Sequence, residues 1–154
     1  MKLESVLQSS IPFPASKKLA LNLLMTQNAV LEQISSALKP FELSIEQFNV
    51  LRILRGQQSA PLNMHDIQQR MFAKTSNTTR LVDKLLTKQL VTRNVCPANR
   101  RKIEVQITAK GLELLNEVSP LVDSAEQAFS APLSERETTL LIELLEKLRT
   151  NKSE

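Results

Sequence analysis

Apolar side chains recur at helical spacing along most of this chain, and the longest run extends from Ser16 to about Leu38. The apolar stripe of this predicted helix is broad and spreads over more than one face. Such a helix needs a second partner, and a subunit interface would provide one. Pro40 ends the helix. The Pro-Phe-Pro sequence that begins at Pro12 predicts that residues 1–14 form an extended arm.

Capping signals mark further helices. Ser44 and Gln47 form an S-x-x-Q capping box for a helix that stops near Gly56, and Ser134 and Glu137 form an S-x-x-E box for the last helix. The last helix carries a leucine stripe at positions 140, 141, 144, 145 and 148. Two interpretations are open: this helix packs on the first long helix within one chain, or the two helices together form a dimer interface.

Another long helix precedes the last one. Thr108 is its predicted cap. Pro120 is expected to bend this helix rather than end it, because apolar residues keep helical spacing beyond it. Pro132 then breaks the helix.

The middle of the chain predicts a helix, a tight turn and a second helix. Asn63 caps the first helix, which covers residues 64–71. After a turn of three residues, Thr75 or Ser76 caps a second helix that runs to about Lys88. One face of the second helix is apolar, and the opposite face is polar.

Two segments with alternating polarity follow, Val91–Cys96 and Lys102–Ile107, and they predict a two-stranded ribbon with a polar tip at residues 97–101. Two short helices at a sharp angle can present the second helix to the major groove of DNA. A basic hairpin beside it can reach the flanking backbone or the minor groove. The predicted fold is therefore mostly α with a small β-hairpin wing, a winged helix-turn-helix.

Positive charge is concentrated in this segment. Residues 63–108 contain nine basic and three acidic residues, a net charge of +6, whereas the whole chain carries only +4. A phosphate-binding surface requires such a concentration. Five Phe with no Tyr or Trp are few for a single-strand binder that stacks bases, so double-stranded DNA is favoured over RNA.

Length and composition exclude several other classes. The 154 residues are 42% hydrophobic, enough for one domain with a genuine core. A single cysteine fits a reducing compartment, and no apolar run approaches the roughly 20 residues that span a bilayer. We therefore expect a cytoplasmic protein with no membrane segment. The sequence contains no phosphate loop, nucleophile elbow or metal-ligand set, so neither an enzyme nor a cofactor is expected.

The candidate DNA contacts lie on the second helix and at the ribbon tip. On the helix they are Thr75, Ser76, Asn77, Thr79, Arg80 and Lys84. Asn can pair with adenine and Arg with guanine through two hydrogen bonds, each pair worth about 1–3 kcal/mol of discrimination. The hydroxyl groups would either read bases or hold phosphates, and the lysine would either hold a phosphate or stay solvated. At the tip, Arg100 and Arg101 are expected to enter or flank the minor groove.

The order of these elements, together with several local strings, resembles the MarR family, the winged-helix regulators named for multiple antibiotic resistance. The matching strings are LSIEQFNVL (43–51), TTRLVDKL (78–85), LVTR (90–93), and NRR (99–101) leading to ITAKG (107–111). Each string alone is weak evidence. All of them occur in the family's order, and the resemblance spans about residues 16–148.

Two positions depart from the family's pattern. Its wing usually has aspartate where this chain has Asn99. That carboxylate resembles a brace for the second arginine, so Arg101 is expected to be less firmly aimed, although an amide can accept one hydrogen bond. The family usually has glycine after the recognition helix, where this chain has Gln89. A non-glycine residue at a left-handed helix end costs on the order of 1 kcal/mol, so we expect this turn to be built differently.

Cys96 lies close in sequence to several basic residues. Nearby positive charge favours the reactive thiolate, so Cys96 is either a redox sensor or a plain wing residue. Family members that sense peroxide generally carry the reactive cysteine near the first helix, where this chain has none. The plain wing residue is therefore the favoured interpretation.

The resemblance implies a cytoplasmic homodimer that binds an inverted-repeat operator and represses, or less often activates, nearby genes. It also implies release by a small phenolic or other amphipathic ligand between the dimer and DNA-binding lobes, or by cysteine oxidation. In a single domain over residues 1–154, residues 44–108 would form the DNA-binding lobe, and residues 16–39 and 109–149 the dimerisation helices. The alternative is a winged-helix interaction module that docks on an acidic protein or binds DNA without sequence preference.

Overall fold

A computed structural model describes residues 2–58 and 60–150 of the protein. In chain order its elements are α1 (Leu3–Val6), α2 (Ala15–Leu38), a 3-10 turn (Lys39–Phe41), α3 (Ile45–Gly56), β1 (Leu62–Asn63), α4 (Met64–Arg70), α5 (Thr78–Thr87), β2 (Val91–Cys96), β3 (Asn99–Ile107), α6 (Ala109–Ser130) and α7 (Glu135–Thr150). The strands form one antiparallel sheet in the order β1-β3-β2. The predicted fold class is confirmed, with helices around a small β wing.

Side-chain caps fix several helix starts where the sequence predicted them. The Ser44 hydroxyl accepts a hydrogen bond from the Gln47 N–H at 3.1 Å, and the Gln47 side chain accepts one from the Ser44 N–H at 3.1 Å, which closes the capping box of α3. Ser134 and Glu137 bond in the same reciprocal way ahead of α7. The Thr108 hydroxyl caps α6 by accepting a backbone N–H at 3.0 Å. These interactions are local in sequence, so sequence alone revealed them.

The buried core joins the helix-turn-helix to the long helix that follows it. Most of its fully buried side chains come from α3, α4, α5, β3 and α6, and α2 adds Leu38. They include Leu51, Leu54, Ile67, Val82, Leu85, Val105, Leu115 and Val118. Because the buried face of α5 packs against α3, α4 and β2, the core fixes the orientation of α5.

The sheet has three strands rather than the two that the sequence predicted. β1 is two residues long and pairs Leu62 with Val105 and Asn63 with Glu104 of β3. Two residues are too few to show the alternation that marks a strand, so the segment up to Leu62 looks like a loop from sequence alone. Its pairing depends on a strand distant in the chain, which a local pattern does not reveal.

The N-terminal segment is not the extended arm that its prolines suggested. α1 forms one helical turn and buries Leu3. The Glu4 carboxylate lies 2.7 Å from Lys18 Nζ and accepts a hydrogen bond from the Phe13 N–H at 3.3 Å. The bond with Lys18, aided by backbone N–H groups, lowers the pKa of Glu4 from 4.5 to about 2. Proline restricts only itself and its neighbours, so residues 3–6 remain free to form a turn.

The long helices leave much of their apolar surface uncovered. α6 continues through Pro120, as predicted, and ends before Pro132. α7 buries none of its residues, and Leu24 on α2 remains 58% exposed. Contacts between α7 and α2 within one chain therefore leave most of this apolar surface exposed. Within the described ranges, no helix is long and apolar enough to cross a membrane.

Candidate nucleic-acid interface

α4 and α5 form a compact helix-turn-helix. Asn63 caps α4, because its Oδ1 accepts a hydrogen bond from the Asp66 N–H at 2.9 Å. Thr78, the first residue of α5, is buried and donates its hydroxyl hydrogen to Gln68 Oε1 of α4. This bond ties the two helices together at the turn, so α5 is held from its first residue.

α5 begins later than the sequence predicted. Its cap is Asn77, whose Oδ1 accepts a hydrogen bond from the Arg80 N–H at 3.1 Å. The predicted caps, Thr75 and Ser76, are wrong, since both residues lie in the preceding turn. Serine, threonine and asparagine cap helices about equally well. The burial of Thr78 decides between them, because it fixes where the helix starts.

The candidate contacts are largely open to solvent. The exposed ones are Thr75, Asn77, Thr79, Arg80 and Lys84, and Ser76 is half-buried. On α5 they lie on the side opposite the buried Val82 and Leu85. Thr75 and Ser76 flank the N-terminus of this helix, where the dipole and the free N–H groups favour an anion such as a phosphate.

The wing departs from the predicted ribbon at its tip. Residues Asn99–Arg101, predicted as part of the tip, belong to β3, and only Pro97 and Ala98 form the turn. Val95 pairs with Ile103, whereas the next residue, Cys96, pairs with Asn99. Three β3 residues therefore lie between the two pairs and have no partner on β2. These residues, Arg100, Arg101 and Lys102, are all exposed, and we call them the basic bulge.

Asn99 stabilises the basic bulge through the backbone. Its Oδ1 accepts a hydrogen bond from the Arg101 N–H at 3.1 Å. The amide therefore shapes the chain at this point, as an aspartate could. Among the described residues, no protein group accepts a hydrogen bond from the guanidinium of Arg100 or Arg101. Both guanidinium groups keep their donors available to an external anion.

An ion pair that sequence reasoning missed links α5 to the wing. Arg93 Nη1 of β2 lies 2.6 Å from Asp83 Oδ1 of α5. The two side chains are 39% and 52% exposed, so the pair contributes at most about 1 kcal/mol to stability. The pair adds one contact between the wing and the helix to the packing of α5 against β2. Asp83 and Arg93 are ten residues apart in the chain, so nothing in the local sequence distinguishes Asp83 from an ordinary solvated carboxylate.

The turn after α5 keeps the left-handed conformation despite lacking glycine. Gln89 has φ of 60°. Its N–H bonds the Leu86 carbonyl at 2.9 Å, and the Leu90 N–H bonds the Leu85 carbonyl at 3.0 Å. These two bonds define a Schellman motif. The expectation of a differently built turn is therefore wrong, and Gln89 occupies a conformation that glycine would adopt at lower cost.

Cys96 is half-buried beside the basic bulge and forms no disulfide. Arg93, one of its basic neighbours in sequence, is already paired with Asp83. The redox role of Cys96 stays a prediction.

A cavity of about 500 Å³ lies between the long helices and the helix-turn-helix. Its apolar wall includes Leu23, Val30, Ile34, Phe48, Val122 and Leu145. Its polar groups include Asn49 and Arg52 of α3 and Glu126 of α6, and Phe72 of the α4–α5 turn also lines it. The Arg52 guanidinium stacks on the Phe48 ring, 5.7 Å from its centroid. This volume and this mixture suit a small amphipathic molecule.

Comparison with known proteins identifies the relatives of this architecture. The model of the MarR family matches residues 43–103, from the residue before the α3 capping box into β3. Among curated proteins, the HTH-type transcriptional regulator MhqR of Bacillus subtilis is 29% identical over 136 residues, which cover 88% of this chain and 92% of that protein.

Solved structures agree over nearly the whole chain. A MarR transcription factor from Planctomyces limnophilus is 30% identical with a TM-score of 0.68, over 88% of this chain and 98% of that one. BpsR of Bordetella bronchiseptica, whose DNA binding is regulated by 6-hydroxynicotinic acid, has a TM-score of 0.80 at 22% identity, over 90% of this chain and 98% of that one. The likeness to BpsR shows a shared fold.

Proposed function

This chain belongs to the MarR family of DNA-binding transcription regulators, and we propose that it works as a homodimeric repressor on an inverted-repeat operator. One observation carries the proposal. The exposed polar face of α5 lies beside the wing that carries the basic bulge, and the ion pair between Asp83 and Arg93 links the helix to the wing. A helix and a wing held in this way can engage a major groove and the adjoining minor groove together.

In the proposed complex, α5 reads base edges in the major groove. Arg80 is the strongest candidate, because its guanidinium is exposed and has no protein acceptor within the described chain. Asn77 is less suited to a two-bond contact with adenine, since its Oδ1 already caps α5. Its NH₂ group remains free to donate to a base or a phosphate. Thr79 would then contact a base or a phosphate at the same end of the helix.

The remaining candidates would hold the DNA backbone and the minor groove. Lys84 lies one helical turn beyond Arg80 and would contact a phosphate, while Thr75 and Ser76 would do so at the N-terminus of α5. Arg100 and Arg101 would enter the minor groove, where a narrow groove has the most negative potential.

The dimer is proposed from the uncovered apolar surface of the long helices. On α7 the exposed apolar residues are Leu140, Leu141, Ile142, Leu144 and Leu148, and on α2 they are Leu19, Leu23 and Leu24. A monomer rarely leaves so much clustered apolar area in water. Residues 16–39 and 109–149 would then form the dimerisation region, and residues 44–108 would form each DNA-binding lobe. Two lobes related by a two-fold axis would read two half-sites.

A paired substitution tests the dimer. Leu144→Glu places a charge in the middle of the α7 stripe, and Thr139→Glu places the same charge on the opposite, solvated face. We expect Leu144→Glu to sediment as a monomer at micromolar concentration, while Thr139→Glu remains a dimer. Monomeric wild-type protein, or a Leu144→Glu dimer of unchanged strength, would contradict the proposed interface.

We further propose that a small amphipathic ligand in the cavity releases the operator. The cavity lies between the proposed dimerisation region and the helix-turn-helix, so an occupant would contact both. BpsR supplies a precedent for control by a small aromatic acid. 6-Hydroxynicotinic acid is therefore a reasonable first compound for a thermal-shift screen.

Selection of bound fragments from genomic DNA of the source organism, at physiological salt, tests operator reading. We expect a short inverted repeat with half-sites about one helical turn apart. Arg101→Ala, run in parallel, should recover it weakly or not at all, whereas Arg136→Ala removes the same charge from α7 and should recover it normally. Uniform, salt-sensitive retention without an enriched motif would favour the alternative, a module that binds DNA without sequence preference.

A further inference from the structure

Two exposed apolar side chains lie side by side on the wing, next to the basic bulge. Val95 of β2 is paired with Ile103 of β3, and towards the tip this is the last pair before the register shifts at the bulge. Side chains of directly opposite residues share one face of a sheet, with Cβ atoms about 5 Å apart. Val95 is 57% exposed and Ile103 is 42% exposed. The two side chains therefore form one apolar patch that stays open to solvent, and we call it the wing pair.

The wing pair lies on the face of the wing that is turned towards α5. Val91, Arg93 and Val95 alternate onto this face of β2. Val91 is buried in the core, and Arg93 is paired with Asp83 of α5. The wing pair continues the same face outwards beyond the core, between the ion pair and the basic bulge. It is therefore continuous with the surface proposed above to bind DNA.

The charges around the wing pair indicate the chemistry of the molecule that covers it. The basic bulge adjoins the pair on the wing, and Arg80 and Lys84 are exposed on α5. A second copy of this chain would bring the same positive charges to the contact, and like charges across an interface are unfavourable. Duplex DNA offers both features that this surface needs, because its phosphates are anionic and the deoxyribose rings between them carry apolar C–H groups.

We propose that the wing pair packs against deoxyribose rings of the DNA backbone, beside the minor groove that Arg100 and Arg101 enter. The proposal rests on the DNA-binding function proposed above and deepens it. Burial of apolar surface against the sugars releases no counterions, whereas each phosphate contact does. The wing then holds DNA through two kinds of contact, of which only the ionic kind weakens as salt rises.

Substitution by threonine tests the wing pair while the strands keep their shape. Val95→Thr and Ile103→Thr keep the β-branched form that strands favour, but each replaces apolar carbon by a hydroxyl group. Asn94→Thr is the matched control, because Asn94 is exposed and the change introduces the same side chain on the opposite face of β2. Arg100→Ala removes one positive charge from the basic bulge and serves as the ionic reference.

The measurement is the dissociation constant of each variant for the selected operator and for a scrambled duplex, by fluorescence anisotropy between about 50 and 200 mM salt. About half of each apolar side chain is open, so we expect Val95→Thr and Ile103→Thr each to bind about fivefold more weakly, which is about 1 kcal/mol. The slope of log Kd against log salt should stay at the wild-type value in both. Arg100→Ala should lower that slope by about one, and Asn94→Thr should bind like wild type.

Several results would overturn the proposal. Unchanged affinity in both wing-pair variants, measured well below their melting temperatures, would show that the pair does not touch DNA. A slope that falls as in Arg100→Ala would make the contact ionic, and an equal loss in Asn94→Thr would show a general effect on the wing. A weaker dimer by sedimentation, with unchanged DNA affinity, would assign the pair to a second copy of this chain.

The sugar contact and the proposed operator reading can fail separately. Sugars carry no sequence information, so the wing-pair variants can be compared with wild type on the scrambled duplex alone. If the expected losses and slopes appear while wild type binds the operator and the scrambled duplex equally well, the sugar contact stands and operator reading fails.

Discussion

We predict that the junction between the wing and α6 requires glycine at position 111, although helices usually favour alanine over glycine. Gly111 is the third residue of α6, and inside helices the replacement of glycine by alanine normally gains up to about 1 kcal/mol. Here an added Cβ would lie 2.7 Å from Ile107 Cγ1 and closer still to the Leu90 carbonyl oxygen. That carbonyl is backbone and also accepts the Thr108 N–H at 3.0 Å, so it cannot move without loss of this bond.

The magnitude follows from these two opposed effects. Overpacking of this kind typically costs about 1–3 kcal/mol and occasionally more, and the lost bond adds about 1 kcal/mol. After the helix gain is subtracted, Gly111→Ala should destabilise the protein by about 1–3 kcal/mol. Urea unfolding followed by far-UV circular dichroism measures this difference.

Gly56 provides a matched control. It ends α3, is exposed, has no atom within 4 Å of an added Cβ, and does not have positive φ. Gly56→Ala should leave the free energy of unfolding unchanged or raise it by up to about 1 kcal/mol. If Gly111→Ala were as stable as Gly56→Ala, the close approach of α6 to Leu90 and Ile107 would be contradicted.

Three further predictions concern local contacts. Gln89→Gly should raise the free energy of unfolding by about 1 kcal/mol in urea, because glycine relieves the left-handed strain; a loss of stability would contradict it. Asn77→Ala should lower the free energy of unfolding by about 1 kcal/mol because α5 loses its cap, whereas Ser76→Ala should leave it unchanged. Equal losses in the two variants would instead support Ser76 as the cap. Glu4→Gln should melt below wild type at neutral pH. Because folding lowers the pKa of Glu4 from 4.5 to about 2, the ionised carboxylate stabilises the protein above pH 4.5, and this stabilisation is lost as the pH falls towards 2. The melting temperatures of Glu4→Gln and wild type should therefore converge near pH 2, and a difference that stays constant with pH would refute this.

The features that sequence predicted correctly depend on neighbours in the chain. The capping box of Ser44 and Gln47, the Thr108 cap and the passage of α6 through Pro120 each follow from a few adjacent residues. The helix-turn-helix and the basic ribbon followed from periodicity and charge, and local strings in the right order indicated the family.

The errors arose where a distant contact decides the structure. β1 exists only because β3 pairs with Leu62, and the cap of α5 is Asn77 because Gln68 and the core hold Thr78. The bond between Asn49 and Phe72 crosses the chain in the same way. No local pattern distinguishes these residues from neighbours of the same chemical type.

The specificity ratio tests the central claim most directly. The wild-type dissociation constant is measured at physiological salt for the selected operator and for a scrambled duplex of equal length and composition. An operator reader should bind its site at least about a thousandfold more tightly than the scrambled duplex. A ratio below about tenfold, with both affinities falling steeply as salt rises, would show that the basic bulge and α5 bind the DNA backbone without reading its sequence.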